Sequence, residues 1–187
     1  MSLLEDLFAY FGTDKGIWGY TPYYEEAMEK YRFEVETVLE IGICGHRDIP
    51  NNVVGASLFV WREYFPNAEI YGVDNDPRFI FNDQHRIHTA LCDAYDADAL
   101  RGVLSKWDNP TFDMIVDDAV HDPGPQVQLA NTLLPFLRAD GRYFIEEACG
   151  YKMLEPPDQF FANHLNNIKH VAACVTPKPE ELVILVK

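Results

Sequence analysis

Basic residues are scarce in this chain: 15 Lys and Arg stand against 30 Asp and Glu, a formal net charge of −15 over 187 residues. Such a surface repels phosphate backbones and anionic lipid, which argues against nucleic-acid and membrane partners. No stretch reaches the roughly eighteen consecutive apolar residues of a membrane-spanning helix. The start, Met1-Ser2-Leu3-Leu4-Glu5-Asp6, lacks the basic and then hydrophobic pattern of a leader, so a soluble, cytoplasmic protein is expected. Cys44, Cys92, Cys149 and Cys174 are widely spaced and form no Cys-x-x-Cys pair, which argues against zinc and redox dithiols and leaves reduced thiols as the default. Repeats and low-complexity segments are absent. One domain over residues 1–187 is expected, with 1–33 as an N-terminal helical cap.

What is present is organised around Thr37-Val38-Leu39-Glu40-Ile41-Gly42-Ile43-Cys44-Gly45. An apolar run with one acid breaks on two glycines, as the first strand of a parallel sheet does where it meets a cofactor. The G-x-G-x-x-G fingerprint itself is missing. Leu3, Leu4, Leu7, Phe8 and Phe11 fall at helical spacing and Gly12 stops that helix. Gly12-Thr13-Asp14-Lys15-Gly16 reads as a polar turn, and Thr21 as the cap of a helix running from about 22 to 31 with Pro22 first. Strands are expected at 36–43, 69–74, 87–91, 112–118 and 142–147, with an irregular loop over 44–54. Helices are expected from 55 to before Pro66, over 96–106, over 124–137 with Leu137 facing the sheet, and over 158–167. The last strands, 171–175 and 182–186, have a connection too short for a parallel crossover, so they should pair antiparallel.

Four successive strands thus end in acids, at Asp74, Asp93, Asp117/Asp118 and Glu146/Glu147. Open parallel sheets bind ligands beyond the carboxyl ends of their strands, so these carboxylates should converge on one crevice. Asp74 is placed to accept hydrogen bonds from a ribose, and Gly42 and Gly45 permit close backbone approach. Glu40 would repel a pyrophosphate and suits a cationic sulfonium, which favours S-adenosylmethionine over a nicotinamide. Asp118, Glu146 and Glu147 offer oxygen ligands of the sort that Mg²⁺, Mn²⁺ or Ca²⁺ take, rather than zinc or copper. His121, three residues after Asp118, is then a candidate general base.

Several motifs, in this order, resemble one family. They are Gly12-Thr13-Asp14-Lys15, Tyr20-Thr21-Pro22-Tyr23-Tyr24-Glu25, Leu39-Glu40-Ile41-Gly42, Gly55-Ala56-Ser57-Leu58 with Trp61 and Tyr64-Phe65-Pro66, Asp117-Asp118-x-x-His121, and Ile145-Glu146-Glu147. The chain is similar to the metal-dependent sugar O-methyltransferases of macrolide biosynthesis, of the macrocin and mycinamicin type. That resemblance implies a class I methyltransferase fold: an α/β, doubly wound, mostly parallel seven-stranded sheet, Rossmann-like, with an antiparallel C-terminal strand. It implies S-adenosylmethionine as donor, Mg²⁺ (or Mn²⁺) on Asp118, Glu146 and Glu147, and His121 as base. Glu40, Gly42, Asp74, Asp93 and Asp117 would face the cofactor, and Thr13, Asp14 and Lys15 would close near it. Two departures stand out: Ala119-Val120 replace Gly-Ser, and Glu147 replaces Asp.

The function expected is O-methylation of a small-molecule hydroxyl, on a sugar or glycoside in natural-product biosynthesis. An aromatic acceptor surface is expected from Trp18, Tyr20, Tyr23 and the loop 148–157. N-methylation on the same fold stays open, as do a nicotinamide-dependent oxidoreductase, a noncatalytic binding module and a homo-oligomer.

Overall fold

The computed structural model describes residues 2–43, 53–81, 85–148, 152–176 and 181–187. Of the expected loop over 44–54, residues 44–52, with Cys44 and Gly45, lie outside the described residues, as do Cys149, residues 150–151 and residues 177–180.

The elements are α1 (Leu3–Phe11), α2 (Lys15–Trp18), α3 (Thr21–Met28), β1 (Thr37–Ile41), α4 (Ala56–Tyr64), β2 (Glu69–Asp74), β3 (Ile87–Leu91), α5 (Ala97–Lys106) and β4 (Phe112–Asp117). They continue with α6 (Pro123–Leu133), β5 (Leu137–Ile145), α7 (Pro157–His164), β6 (His170–Val175) and β7 (Glu181–Val186). The strands form one seven-stranded sheet in the order β3-β2-β1-β4-β5-β7-β6. The four pairings that join β3, β2, β1, β4 and β5 are parallel, and β7 is antiparallel to both β5 and β6. The expected mostly parallel sheet with an antiparallel C-terminal strand is therefore observed.

Strand alternation divides the core between the two faces of the sheet. Leu39, Ile41, Ile115, Tyr143 and Ile145 pack with Leu100 and Leu104 of α5, Leu129 and Leu133 of α6 and Phe161 of α7. Val38, Ile70, Met114, Val116 and Phe144 pack with Leu4 and Phe8 of α1, Tyr24 of α3 and Trp61 of α4. The N-terminal helices are thus part of one core layer. No helix among the described residues is long and apolar enough to cross a membrane.

Three local expectations are corrected. Residues 15–18 form a short helix rather than a plain turn, and the cap of α3 is Tyr20, with Thr21 already helical. Leu137 opens β5 instead of closing α6, because Pro135 sits in a 3-10 turn over Leu134–Phe136 that ends the helix. The register of β5 against β4 shifts between Phe112 and Met114, and Asp140 has a positive φ of 62°. That irregularity hides the strand's first half in a polar Arg138-Ala139-Asp140-Gly141 run.

Gly42 has φ +84°, and a Cβ there would lie 2.3 Å from the Asp118 carbonyl oxygen. Its glycine character lets the turn after β1 meet the turn after β4. Gly42→Ala is expected to destabilise the fold by roughly 2–4 kcal/mol, read from the urea midpoint, because strain and clash add. An unchanged midpoint would show that this close approach is not maintained in solution.

Candidate active site

The carboxyl ends of β1, β4 and β5 bring Glu40, Asp118 and Glu146 around one ammonium. Lys15 Nζ lies 3.1 Å from Glu40 Oε1, 2.7 Å from Asp118 Oδ2 and 2.8 Å from Glu146 Oε2. Lys15 itself is 1% exposed. The Trp61 indole donates to Glu40 Oε2 at 2.8 Å, and the Tyr24 hydroxyl donates to Glu146 Oε1 at 2.5 Å. Burial pushes Glu40 and Glu146 above the usual carboxylate range against the pull of Lys15. For Asp118 burial works in the same direction, but Lys15 and His121 outweigh it and hold the carboxyl below its usual range. Three carboxylates sharing one ammonium leave this crevice short of positive charge.

On the outer side of Asp118 a second group forms. His121 Nδ1 is 2.6 Å from Glu147 Oε2, and His121 Nε2 faces Asp118 Oδ1 at 3.7 Å. Consecutive acids therefore point apart: Glu146 turns inward to Lys15, whereas Glu147, at φ 46°, turns outward to the histidine. The Glu147 N–H donates to the Tyr20 hydroxyl at 3.3 Å, so the N-terminal cap steadies this turn as well. Burial lowers the affinity of His121 for a proton, but the hydrogen-bonding carboxylates of Asp118 and Glu147 prevail and raise its pKa to about 10.

Asp118, His121 and Glu147 each offer one ligand atom, all within 4.8 Å of one another. His121 Nε2 is buried with no hydrogen-bond partner, an orphan that a group bound in this site would meet. The Asp118 and Glu147 carboxylates suit Mg²⁺ or Mn²⁺, with the imidazole beside the ion.

Beside this group opens a cleft of about 110 Å³ lined by Gly42, Asp74, Asp93, Tyr95, Ala119 and Val120 among others. Asp74 Oδ2 accepts the Ile43 N–H and Oδ1 accepts the Asp76 N–H, both at 2.9 Å, which fixes the carboxylate's orientation. Each oxygen retains a lone pair for a ligand hydroxyl. Asp93 accepts the Tyr95 N–H at 3.0 Å, and the Tyr95 hydroxyl in turn accepts the Val120 N–H at 3.1 Å.

Of the residues expected to face a cofactor, Gly42, Asp74 and Asp93 share this cleft. Glu40 lies behind it against Lys15, and Thr13 accepts the Lys15 backbone N–H at 3.4 Å. Asp117 is fully buried on the α6 face of the sheet, where loss of water pushes its pKa up to about 8. Of the expected acceptor aromatics, Tyr20 is buried, and Tyr23 borders a groove with His170 and Ile184 instead. Tyr20, Tyr24 and Trp61 hold the acids, a role not expected of them, although all three stand in the motifs that carry the family resemblance.

No protein-family model matches the chain. A tetracenomycin rhamnoside 3'-O-methyltransferase of Streptomyces olivaceus is 38% identical over 133 residues, 71% of this chain and 33% of that protein. The mycinamicin VI 2''-O-methyltransferase of Micromonospora griseorubida is 33% identical over 68% of this chain and 31% of its own length. The demethylmacrocin O-methyltransferase of Streptomyces fradiae is 32% identical over 70% and 33% respectively. The chain thus spans about a third of the length of the curated relatives it matches. Among solved structures, the MycE methyltransferase of mycinamycin biosynthesis, determined with Mg and SAH, superposes with a TM-score of 0.74 at 24% identity. It is covered over 98% of this chain and 55% of its own.

Proposed function

We propose that this chain, which carries the class I methyltransferase fold and is similar to sugar O-methyltransferases over 71% of its length, transfers a methyl group from S-adenosylmethionine to a hydroxyl of a sugar-bearing small molecule. The observation that supports this most is the adjacency of the Asp118, His121 and Glu147 group to the cleft of Gly42, Asp74 and Asp93. Asp74 would accept the ribose hydroxyls and Asp93 would face the adenine side. Asp118 and Glu147 would hold Mg²⁺ or Mn²⁺, while Glu146, the third expected ligand, faces Lys15 instead. Bound there, such an ion would make an acceptor hydroxyl more acidic.

The chain's own residues carry the rest. His121 lies between two carboxylates and would accept the hydroxyl proton at a ring nitrogen once they no longer bind its own proton so tightly. Lys15 and the Tyr24 and Tyr20 hydroxyls hold the acids in place, so little reorganisation accompanies reaction. The two named relatives from mycinamicin and macrocin pathways, together with the tetracenomycin rhamnoside enzyme, support a glycoside acceptor.

The test is transfer of label from methyl-labelled S-adenosylmethionine to rhamnosides and macrolide glycosides, with Mg²⁺ and with chelator. Label in an ether, lost with chelator, is the expected result. Label in no acceptor, or transfer indifferent to chelator, would count against the donor or the metal respectively. Asp118→Asn should weaken Mn²⁺ binding at least about tenfold, since a neutral amide replaces a charged ligand. Calorimetry reads this directly, and unchanged affinity would remove Asp118 from the ligand set.

A further inference from the structure

We propose that the Lys15 ammonium is a resident cation filling the inner half of the acidic crevice, and that it confines a divalent ion to the outer half. The inference rests on the metal reading above only in taking the outer position as the divalent one. Glu40 Oε1, Asp118 Oδ2 and Glu146 Oε2 surround Nζ at 3.1, 2.7 and 2.8 Å, one oxygen from each of three neighbouring strand ends. Three convergent carboxylates are a donor set that hard cations occupy. Here the amine is already in it.

Asp118 is the wall between the two positions. Its Oδ2 meets Lys15 at 2.7 Å, while its Oδ1 faces His121 Nε2 at 3.7 Å. The approach of Lys15 is built into the fold rather than left to a free side chain. The Thr13 N–H donates to the Phe8 carbonyl at 3.2 Å, and the Tyr20 N–H donates to the Lys15 carbonyl at 3.0 Å. Gly16 lies against Phe8, where an added Cβ would be 3.3 Å from the Phe8 Cβ. The segment from Gly12 to Tyr20 therefore delivers one ammonium, buried, to a fixed point. Lys15 is a positioning residue: it compensates the inner carboxylates and leaves only the Oδ1 side of Asp118 for a second cation.

The test is Mn²⁺ titration of chelator-treated protein by calorimetry. The wild type is expected to take one ion per chain. Lys15→Met should take a second, and adding Glu40→Gln should abolish that second ion while sparing the first. A Lys15→Met protein that folds and still binds a single ion, insensitive to Glu40→Gln, would overturn the proposal. A role in packing alone predicts that outcome. If the wild type binds no Mn²⁺, the metal reading falls and this proposal falls with it. If Lys15→Met does not fold, the ¹⁵N-labelled wild type decides. A slowly exchanging Lys15 ammonium signal that persists at saturating Mg²⁺ supports the resident cation, and its loss on adding Mg²⁺ refutes it.

Discussion

His121→Ala is expected to lower turnover by roughly 10²- to 10⁴-fold, the usual contribution of a positioned general base. Affinity for S-adenosylhomocysteine should stay nearly intact, because His121 is not among the residues lining the cleft of Gly42, Asp74 and Asp93. The histidine sits 2.6 Å from Glu147 and opposite Asp118, on the side of the crevice away from Lys15. An acceptor hydroxyl arriving beside Asp118 would meet it first. Single-turnover transfer measures the loss. Unchanged turnover would remove His121 from the chemistry and leave it as a structural link between two acids.

The second large effect concerns pH. In the metal-free protein His121 is raised to about 10, with burial opposing and the Asp118 and Glu147 carboxylates prevailing. A cation entering between them must therefore displace a proton at neutral pH. Its affinity should rise with pH by up to about tenfold per unit between pH 7 and 9, and level off near 10. His121→Asn should flatten that slope. The same shift fixes a sign for stability. A histidine whose folded pKa exceeds the unfolded value near 6.5 contributes fully below about pH 6.5 and loses that contribution as pH rises toward 10. Metal-free protein should accordingly melt lower at pH 9 than at pH 6.5 by this contribution, and added Mn²⁺ should reduce the difference. An affinity for Mn²⁺ that is flat across this range would mean the ion binds elsewhere.

Much of this site was legible in the residue order. Parallel strands buried on both faces are near-continuous apolar runs, so β1, β2 and β4 stand out, and the acids that close β2 to β5 mark the crevice edge. Lys15 is placed near the cofactor by the family resemblance alone, since its segment by itself reads as a polar turn. The fold instead inserts it beneath the strand ends, and nothing in a local pattern reports a contact across 103 or 131 residues of chain. Glu146 and Glu147 take one role in the sequence as acids at the same strand end, the role that the family resemblance implies for both. Strand alternation, with a left-handed residue at Glu147, sends them to opposite sides of Asp118. The first half of β5 was missed for a different reason: its bulge carries charged residues where a strand would carry apolar ones.

The most direct measurement is calorimetric titration of purified, chelator-treated protein with S-adenosylhomocysteine, with and without Mg²⁺. Saturable one-to-one binding is the predicted result, and Asp74→Ala should weaken it at least about tenfold through the lost ribose hydrogen bonds. Absence of binding under both conditions would contradict the methyltransferase reading, and the acidic crevice would then belong to a ligand of another class.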